Sequence, residues 1–251
     1  MKKKIMAMCL VVALAVVAIG GATLAYFTDT DAQKNTFTTG NVAIDLWEDF
    51  GNNDDGIEEL IPATGSAQDG TLKNGIEKEV YVENTGSEDA YVRVHIAIPS
   101  ILDDGADTFD ASANVLHFNY DEESIGEGKW DWSKAYDDKQ YVGNWNYYTT
   151  TIDNVSYNVY VVTYGSPLAN GDVTVDAMSQ VYLDSETSND DITSIKDTLG
   201  ENWYIYVAAE GTQAEGFTDA YNALNTAFGV PGTYDVDWAA VAEGATWVDN
   251  G

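Results

Sequence analysis

Glu77-Lys78-Glu79-Val80-Tyr81-Val82-Glu83, then Asn84-Thr85-Gly86-Ser87, then Tyr91-Val92-Arg93-Val94-His95-Ile96-Ala97-Ile98, is the stretch that decides the fold. In the first run Val80 and Val82 share a face against Glu79, Tyr81 and Glu83. In the second, Val92, Val94, Ile96 and Ile98 point one way, while Tyr91, Arg93 and His95 are expected to point outward. A period of two with one apolar face is the signature of a half-buried strand. Asn84–Ser87 supplies the turn, and Pro99 ends the second run because it cannot donate to a ladder. The core of the chain is therefore read as antiparallel β.

The same pattern continues in both directions. Val42, Ile44 and Leu46 alternate with Asn41, Ala43, Asp45 and Trp47, and a polar loop follows from Glu48 to about Gly70. Downstream, Val115–Tyr120 and Tyr157–Tyr164 read as strands, with a turn at Pro167–Gly171. Val173–Val175 and Val181–Leu183 offer short strands on either side of Ala177-Met178. Asn202–Ala208 is the last strand, with Trp203, Ile205 and Val207 facing one way. Two helices interrupt the series. Ser188 with Asp191 makes a capping box ahead of Ile192, Ile195 and Leu199, and Gly200 closes that segment near 188–199. Phe217, Tyr221, Leu224 and Phe228 recur at helical spacing near 217–228, stopped by Gly229 and Pro231. Evenly spaced strands with minor helices predict an all-β fold, a jelly-roll-like antiparallel β-sandwich. Without an internal repeat or linker, residues 41–251 read as one domain.

Charge and export signals narrow the function. The 251 residues carry 42 Asp and Glu against 11 Lys and Arg, a formal charge of −31. Such a surface repels phosphate backbones and excludes nucleic acid as a partner. Met1–Lys4 is a basic n-region, Ile5–Ile19 an apolar h-region, and Gly20–Ala25 a small-residue stretch, which together read as a signal peptide over residues 1–25. Cleavage is expected after Ala25, leaving Tyr26 as the new N-terminus. Lys2, Lys3 and Lys4 leave with the leader, so 8 basic residues then face 42 acidic ones, a charge of −34. Cys9, the only cysteine, leaves too, so stability must come from core size and sheet pairing rather than disulfides.

Catalytic constellations mostly fail. The only histidines, His95 and His117, form no H-E-x-x-H pair, and surface or cross-strand roles are favoured over metal ligation for both. There is no G-x-S-x-G elbow and no Gly-rich phosphate loop. Asp103-Asp104, Asp137-Asp138 and Asp190-Asp191 read as solvated turns among many acids. Asn52-Asn53-Asp54-Asp55-Gly56 resembles part of an EF-hand loop. Aligning Gly56 with the invariant glycine, however, puts Gly51 and Pro62 where carboxylates are required. An irregular loop calcium site stays open beside the favoured solvated loop; no catalytic residue and no cofactor is otherwise expected. Trp130, Trp132, Tyr136, Tyr141, Trp145, Tyr147 and Tyr148 form an aromatic block. Trp130, Trp132 and Trp145 are candidate glycan contacts, against the favoured reading that such rings fill the core.

The leader with Tyr26-Phe27-Thr28-Asp29 and Asn35-Thr36-Phe37-Thr38-Thr39-Gly40-Asn41-Val42 resembles the start of the TasA/camelysin family. These are exported proteins of Gram-positive bacteria, processed by the signal peptidase SipW. Val82–Ser87 with Ala90–Val94 is similar to the family's central hairpin, and Ala208–Phe217 to its late strand-to-helix junction. The resemblance implies a secreted jelly-roll subunit of biofilm matrix or cell-surface fibres. Its N-terminal segment, residues 26–40, would act as a donor strand, with Tyr26, Phe27, Thr28 and Phe37 as its contacts. The partners implied are other copies of the chain, the signal peptidase during export, and accessory matrix proteins or exopolysaccharide. Tyr26–Thr39 contains no proline and can extend along a sheet edge, whether in its own subunit or in a neighbour. Camelysin-type members have been classed as metallopeptidases. No zinc motif in this chain carries that activity over.

Overall fold

The computed structural model describes residues 28–31, 41–49, 60–65, 71–103, 115–119, 129–131 and 147–244. The strands are β1 (Thr28–Asp31), β2 (Ile44–Asp49), β3 (Ile76–Asn84), β4 (Ala90–Pro99), β5 (Leu116–Asn119), β6 (Trp130–Asp131), β7 (Tyr147–Ile152), β8 (Val155–Tyr164), β9 (Met178–Leu183) and β10 (Tyr206–Gln213). The helices are α1 (Asn189–Leu199), α2 (Ala220–Ala227) and α3 (Trp238–Gly244). One antiparallel sheet runs β1-β10-β4-β8, with β6 and β7 both along the far side of β8. The other runs β2-β3-β9-β5. The first strand lies beside the last, and the chain crosses between sheets at β1–β2, β3–β4, β4–β5, β5–β6, β8–β9 and β9–β10. This is the wound sandwich of a jelly roll.

The strongest strand explains the layering. Val92, Val94, Ile96 and Ile98 of β4 are fully buried between the sheets, against Val80, Val82 and Met178 of the opposite sheet. Each such side chain contributes roughly 1.5–3 kcal/mol of burial. The other face of β4 departs from expectation. Tyr91, Arg93 and His95 do not reach solvent: their relative exposures are 7%, 1% and 0%. The reason is that α2, α3 and the loop joining them lie over the outer face of the six-stranded sheet, making it a middle layer. Tyr91 packs with Ala220, Ala223 and Leu224 of α2, and Trp238 of α3 with Ala97, Val159 and Ala208.

Local signals behave largely as their chemistry requires. The capping box forms: Asp191 Oδ2 accepts from the Ser188 backbone N–H at 2.8 Å, and Ser188 Oγ accepts from the Asp191 N–H at 3.3 Å. That reciprocal pairing holds the Asp191 carboxyl below its usual range. Gly200 follows α1 at φ 88°, a conformation glycine adopts without penalty. Only Ile195 of the expected stripe is fully buried. The second helix spans 220–227, capped by Asp219, whose Oδ1 accepts from Asn222 N at 2.8 Å. Val173 forms a single bridge to Glu83 in place of a short strand. The last strand begins at Tyr206 rather than Asn202. Among the described residues, no helix is long and apolar enough to cross a membrane.

Candidate functional site

The segment that the leader cleavage would free lands on β10. Thr28, Asp29, Thr30 and Asp31 pair antiparallel with Thr212, Gly211, Glu210 and Ala209. The four-residue β1 thus covers only half of the eight-residue β10, and Tyr206, Val207 and Ala208 have no strand partner on that side among the described residues.

β10 is unusual for a strand with so little cover. Every residue from Tyr206 to Thr212 is buried. Its inner face meets β2 closely: a Cβ built on Gly211 would lie 2.8 Å from Ile44 Cγ2, so only glycine lets β2 approach this far. Its outer face lies beneath α2 and α3. Thr212 is fully buried, opposite Thr28, and its hydroxyl has no hydrogen-bond partner. A strand buried on both faces with an incompletely paired edge is a pairing template.

A buried ion cluster holds that strand from the outside. Arg93 is the only arginine in the chain. Its Nε donates to Glu210 Oε2 at 2.5 Å, its Nη1 to Asn225 Oδ1 at 2.9 Å, and its Nη2 to Tyr234 OH at 2.7 Å and the Gly229 carbonyl at 3.1 Å. The guanidinium also lies 5.7 Å from the ring centroids of both Phe228 and Tyr234. Tyr234 OH donates to Glu210 Oε1 at 2.6 Å, and His95 Nε2 lies 3.2 Å from Glu210 Oε2. Tyr148 OH lies 3.3 Å from His95 Nδ1.

The electrostatics follow from this geometry. Burial would raise the Glu210 carboxyl, but His95, Arg93 and the Tyr234 hydroxyl outweigh it and bring its pKa down to about 2. Burial lowers His95 below its usual 6.5, against the opposing pull of Glu210, so the imidazole is neutral at pH 7 and donates to Glu210 through Nε2. Burial pushes the Tyr234 phenol well above its usual range. The charges that remain are one cation and one anion, each fully hydrogen-bonded, which is the condition for burying an ion pair. Through Asn225, Gly229 and Tyr234 the pair ties α2 and the following loop to β4 and β10.

This cluster was hidden by sequence distance. Arg93 and Glu210 are separated by 117 residues and meet only because β4 pairs with β10. The one available signal was a lone arginine placed mid-strand in an acidic chain.

The other expected site residues divide plainly. Thr28 is at the β10 edge, as above. Ala25, Tyr26, Phe27, Phe37, Trp132, Trp145 and the Asn52–Gly56 loop lie outside the described residues. The glycan role considered for Trp130 is corrected: the ring is 1% exposed, lies 5.0 Å from the Tyr164 ring, and donates from Nε1 to the Val175 carbonyl at 2.7 Å. It fills the core because β6 turns it inward between the sheets.

The two histidines do not fit a shared metal. His95 is on β4 under the helical cap, whereas His117 is on β5 in the other sheet, with Nε2 2.8 Å from Asp184 Oδ2. Among the described residues, no group of three or more His, Cys, Asp or Glu side chains could hold a metal ion.

Comparison with known proteins agrees with the N-terminal reading. No curated protein matches the chain. The model of the camelysin metallo-endopeptidase family matches residues 1–88, which take in the leader, β1, β2 and β3. Over those residues the chain carries the signature of the camelysin family, which includes TasA and which its leader and first strand resemble.

Proposed function

We propose that the chain is a secreted structural subunit of an extracellular matrix or cell-surface fibre, joined to its neighbours by donor-strand complementation. One observation carries this reading: β10 is buried on both faces, yet its edge is paired only at Ala209–Thr212, by residues just past the expected cleavage site. Continuing the same register would set Ala32 against Ala208, Gln33 against Val207 and Lys34 against Tyr206. A segment donated by a second copy, free of the turn back to β2, could pair along the whole strand. Removing the leader releases this arm from the membrane, so processing by a signal peptidase would also license assembly.

In this reading the partners are other copies of the chain, with accessory matrix proteins or exopolysaccharide contacting the fibre, and the subunit needs no cofactor. The metallopeptidase activity in the family's name is not proposed, because both histidines are engaged in separate sheets.

Electron microscopy of the purified protein beginning at Tyr26 tests the proposal. Fibres are expected, and they should be lost on deletion of residues 26–35 and on Thr30→Pro, which removes an N–H from the pairing strand. A protein that stays monomeric at every concentration, or fibres indifferent to that deletion, would show the reading to be wrong.

A further inference from the structure

On the outer face of the six-stranded sheet, a half-open cleft separates β7 from the segment that leads into α3. Tyr148, Thr149, Thr150, Tyr234, Asp235 and Trp238 line it. It is shallow, about 60 Å³, which admits the edge of one ring but not an enclosed small molecule.

Its walls are fixed in advance. The Tyr234 hydroxyl is clamped between Arg93 and Glu210, and the Tyr148 hydroxyl lies 3.3 Å from His95 Nδ1. Both phenol groups therefore face the buried cluster, and neither ring has to be ordered when a ligand arrives. Gly232 brings the opposite lip close: at φ 79°, a Cβ there would lie 3.1 Å from Tyr148 Cβ.

The polar groups define what fits. Asp235 is exposed and offers two acceptor oxygens, and the hydroxyls of Thr149 and Thr150 donate or accept. Trp238 is 5% exposed, and its indole N–H has no hydrogen-bond acceptor. A buried donor without a partner is uncommon and calls for an explanation. No Lys, Arg or His lines the cleft, and the chain carries −31, so an anionic ligand is disfavoured. Aromatic walls, a carboxylate, hydroxyls and one spare N–H match a ring bearing several neighbouring hydroxyl groups.

We propose that this cleft binds one pyranose unit of a non-anionic polysaccharide. Its hydroxyls bond to Asp235 and the two threonines, its C–H face lies along Tyr148 and Tyr234, and a ring-borne oxygen seated at the floor accepts from Trp238. The rest of the polymer runs over the surface. The site does not depend on fibre formation, so its failure and that of the donor-strand reading are separable.

The test is an amide and indole NMR titration of the purified, ¹⁵N-labelled protein. The probes are a neutral glucose oligomer, an N-acetylglucosamine oligomer, a glucosamine oligomer and a polyuronate oligomer. Trp238→Phe assigns the relevant indole signal among the seven tryptophans. The expected result is that Trp238, Thr149, Thr150 and Asp235 resonances shift at millimolar levels of one or more of the first three probes, and not with polyuronate. Asp235→Asn, an exposed change whose unaltered remaining spectrum reports an intact fold, should weaken binding about tenfold. Which of the three binds identifies whether the sugar is neutral, acetylated or cationic. The proposal is overturned by the absence of shifts at 20 mM of every sugar, or by binding that Asp235→Asn leaves unchanged. Shifts at these residues only with a peptide of residues 26–39 would likewise overturn it, by making the cleft a strand-docking site.

Discussion

Replacing Glu210 with glutamine tests whether the buried ion pair holds the cap on β10. The substitution keeps the shape and leaves the Arg93 guanidinium, 1% exposed, without its counter-ion. Two independent routes give the size of the effect. Removing one partner of a buried pair costs about 3–5 kcal/mol. A carboxyl whose pKa moves from 4.5 to about 2 on folding supplies about 3 kcal/mol at neutral pH. With a denaturant slope of about 2 kcal/mol per molar urea, the midpoint should fall by roughly 1.5–2 M.

The pH dependence makes this prediction specific. Glu210 is the case of a depressed carboxyl, so its contribution is complete above the unfolded value near 4.5 and is lost as pH falls toward about 2. Many other carboxylates titrate in the same window, and in a chain of charge −31 their protonation also relieves repulsion. That background is common to parent and variant and cancels in the difference. Urea unfolding of both proteins between pH 2 and 8 should therefore show a constant gap above about pH 5 that closes between 4.5 and 2. A gap under 1 kcal/mol at pH 7, or one that does not close in acid, would refute the reasoning.

Three further outcomes are expected. His95 is held neutral by burial while the unfolded chain takes up a proton below about 6.5, so this residue makes stability fall as pH drops through 6.5; His95→Gln should remove that limb in the same assay. Gly211→Ala sets a Cβ 2.8 Å from Ile44 Cγ2 and should destabilise by roughly 1–3 kcal/mol, with Ile44→Val recovering part of the loss and urea midpoints giving the coupling. Assembly of a chain this acidic should be quickened by salt, calcium or mild acid and slowed at low ionic strength near neutral pH, as light scattering would follow; rates that ignore ionic strength would remove repulsion as the controlling term.

Alternation was legible wherever a strand has one wet or one uniformly apolar face. Val80 and Val82, or Val92 to Ile98, announce their buried side because a pleated strand alternates its side chains strictly. The same logic misplaced Arg93 and His95. A polar residue opposite an apolar face normally means solvent, and nothing near β4 in sequence says that residues 220–238 will roof it. The helices of that roof were only half legible: α2 has a four-residue apolar stripe and a stop, while the seven-residue α3 has no cap signal. The late start of β10 has a different cause. Trp203 and Ile205 pack against the same cluster as Val207, so the apolar period begins before the backbone reaches a pairing partner. Trp130 was ambiguous in principle, since a tryptophan suits a sugar platform and a sandwich core equally until burial is known.

The position of the ion cluster bears on how strand exchange would be controlled. Within one subunit, β1 is tethered to its acceptor, and a short tether gives an effective concentration of the order of millimolar. A donor from a second copy at micromolar concentration starts about a thousandfold behind, a deficit of about 4 kcal/mol. Pairing three more residues along Tyr206–Ala208 returns about 0.5–1.5 kcal/mol per hydrogen bond gained, so exchange sits near balance rather than far to either side. Near balance, small terms decide: charge repulsion between subunits, the aromatic anchors of the arm, and the rigidity of the acceptor. Arg93 and Glu210 act on the last of these. By fastening α2 and its loop across β4 and β10, they keep the acceptor strand in the sheet while β1 is absent, leaving its edge open to a donor instead of letting the strand fray. Glu210→Gln should therefore slow fibre growth even when β1 and the donor arm are unchanged.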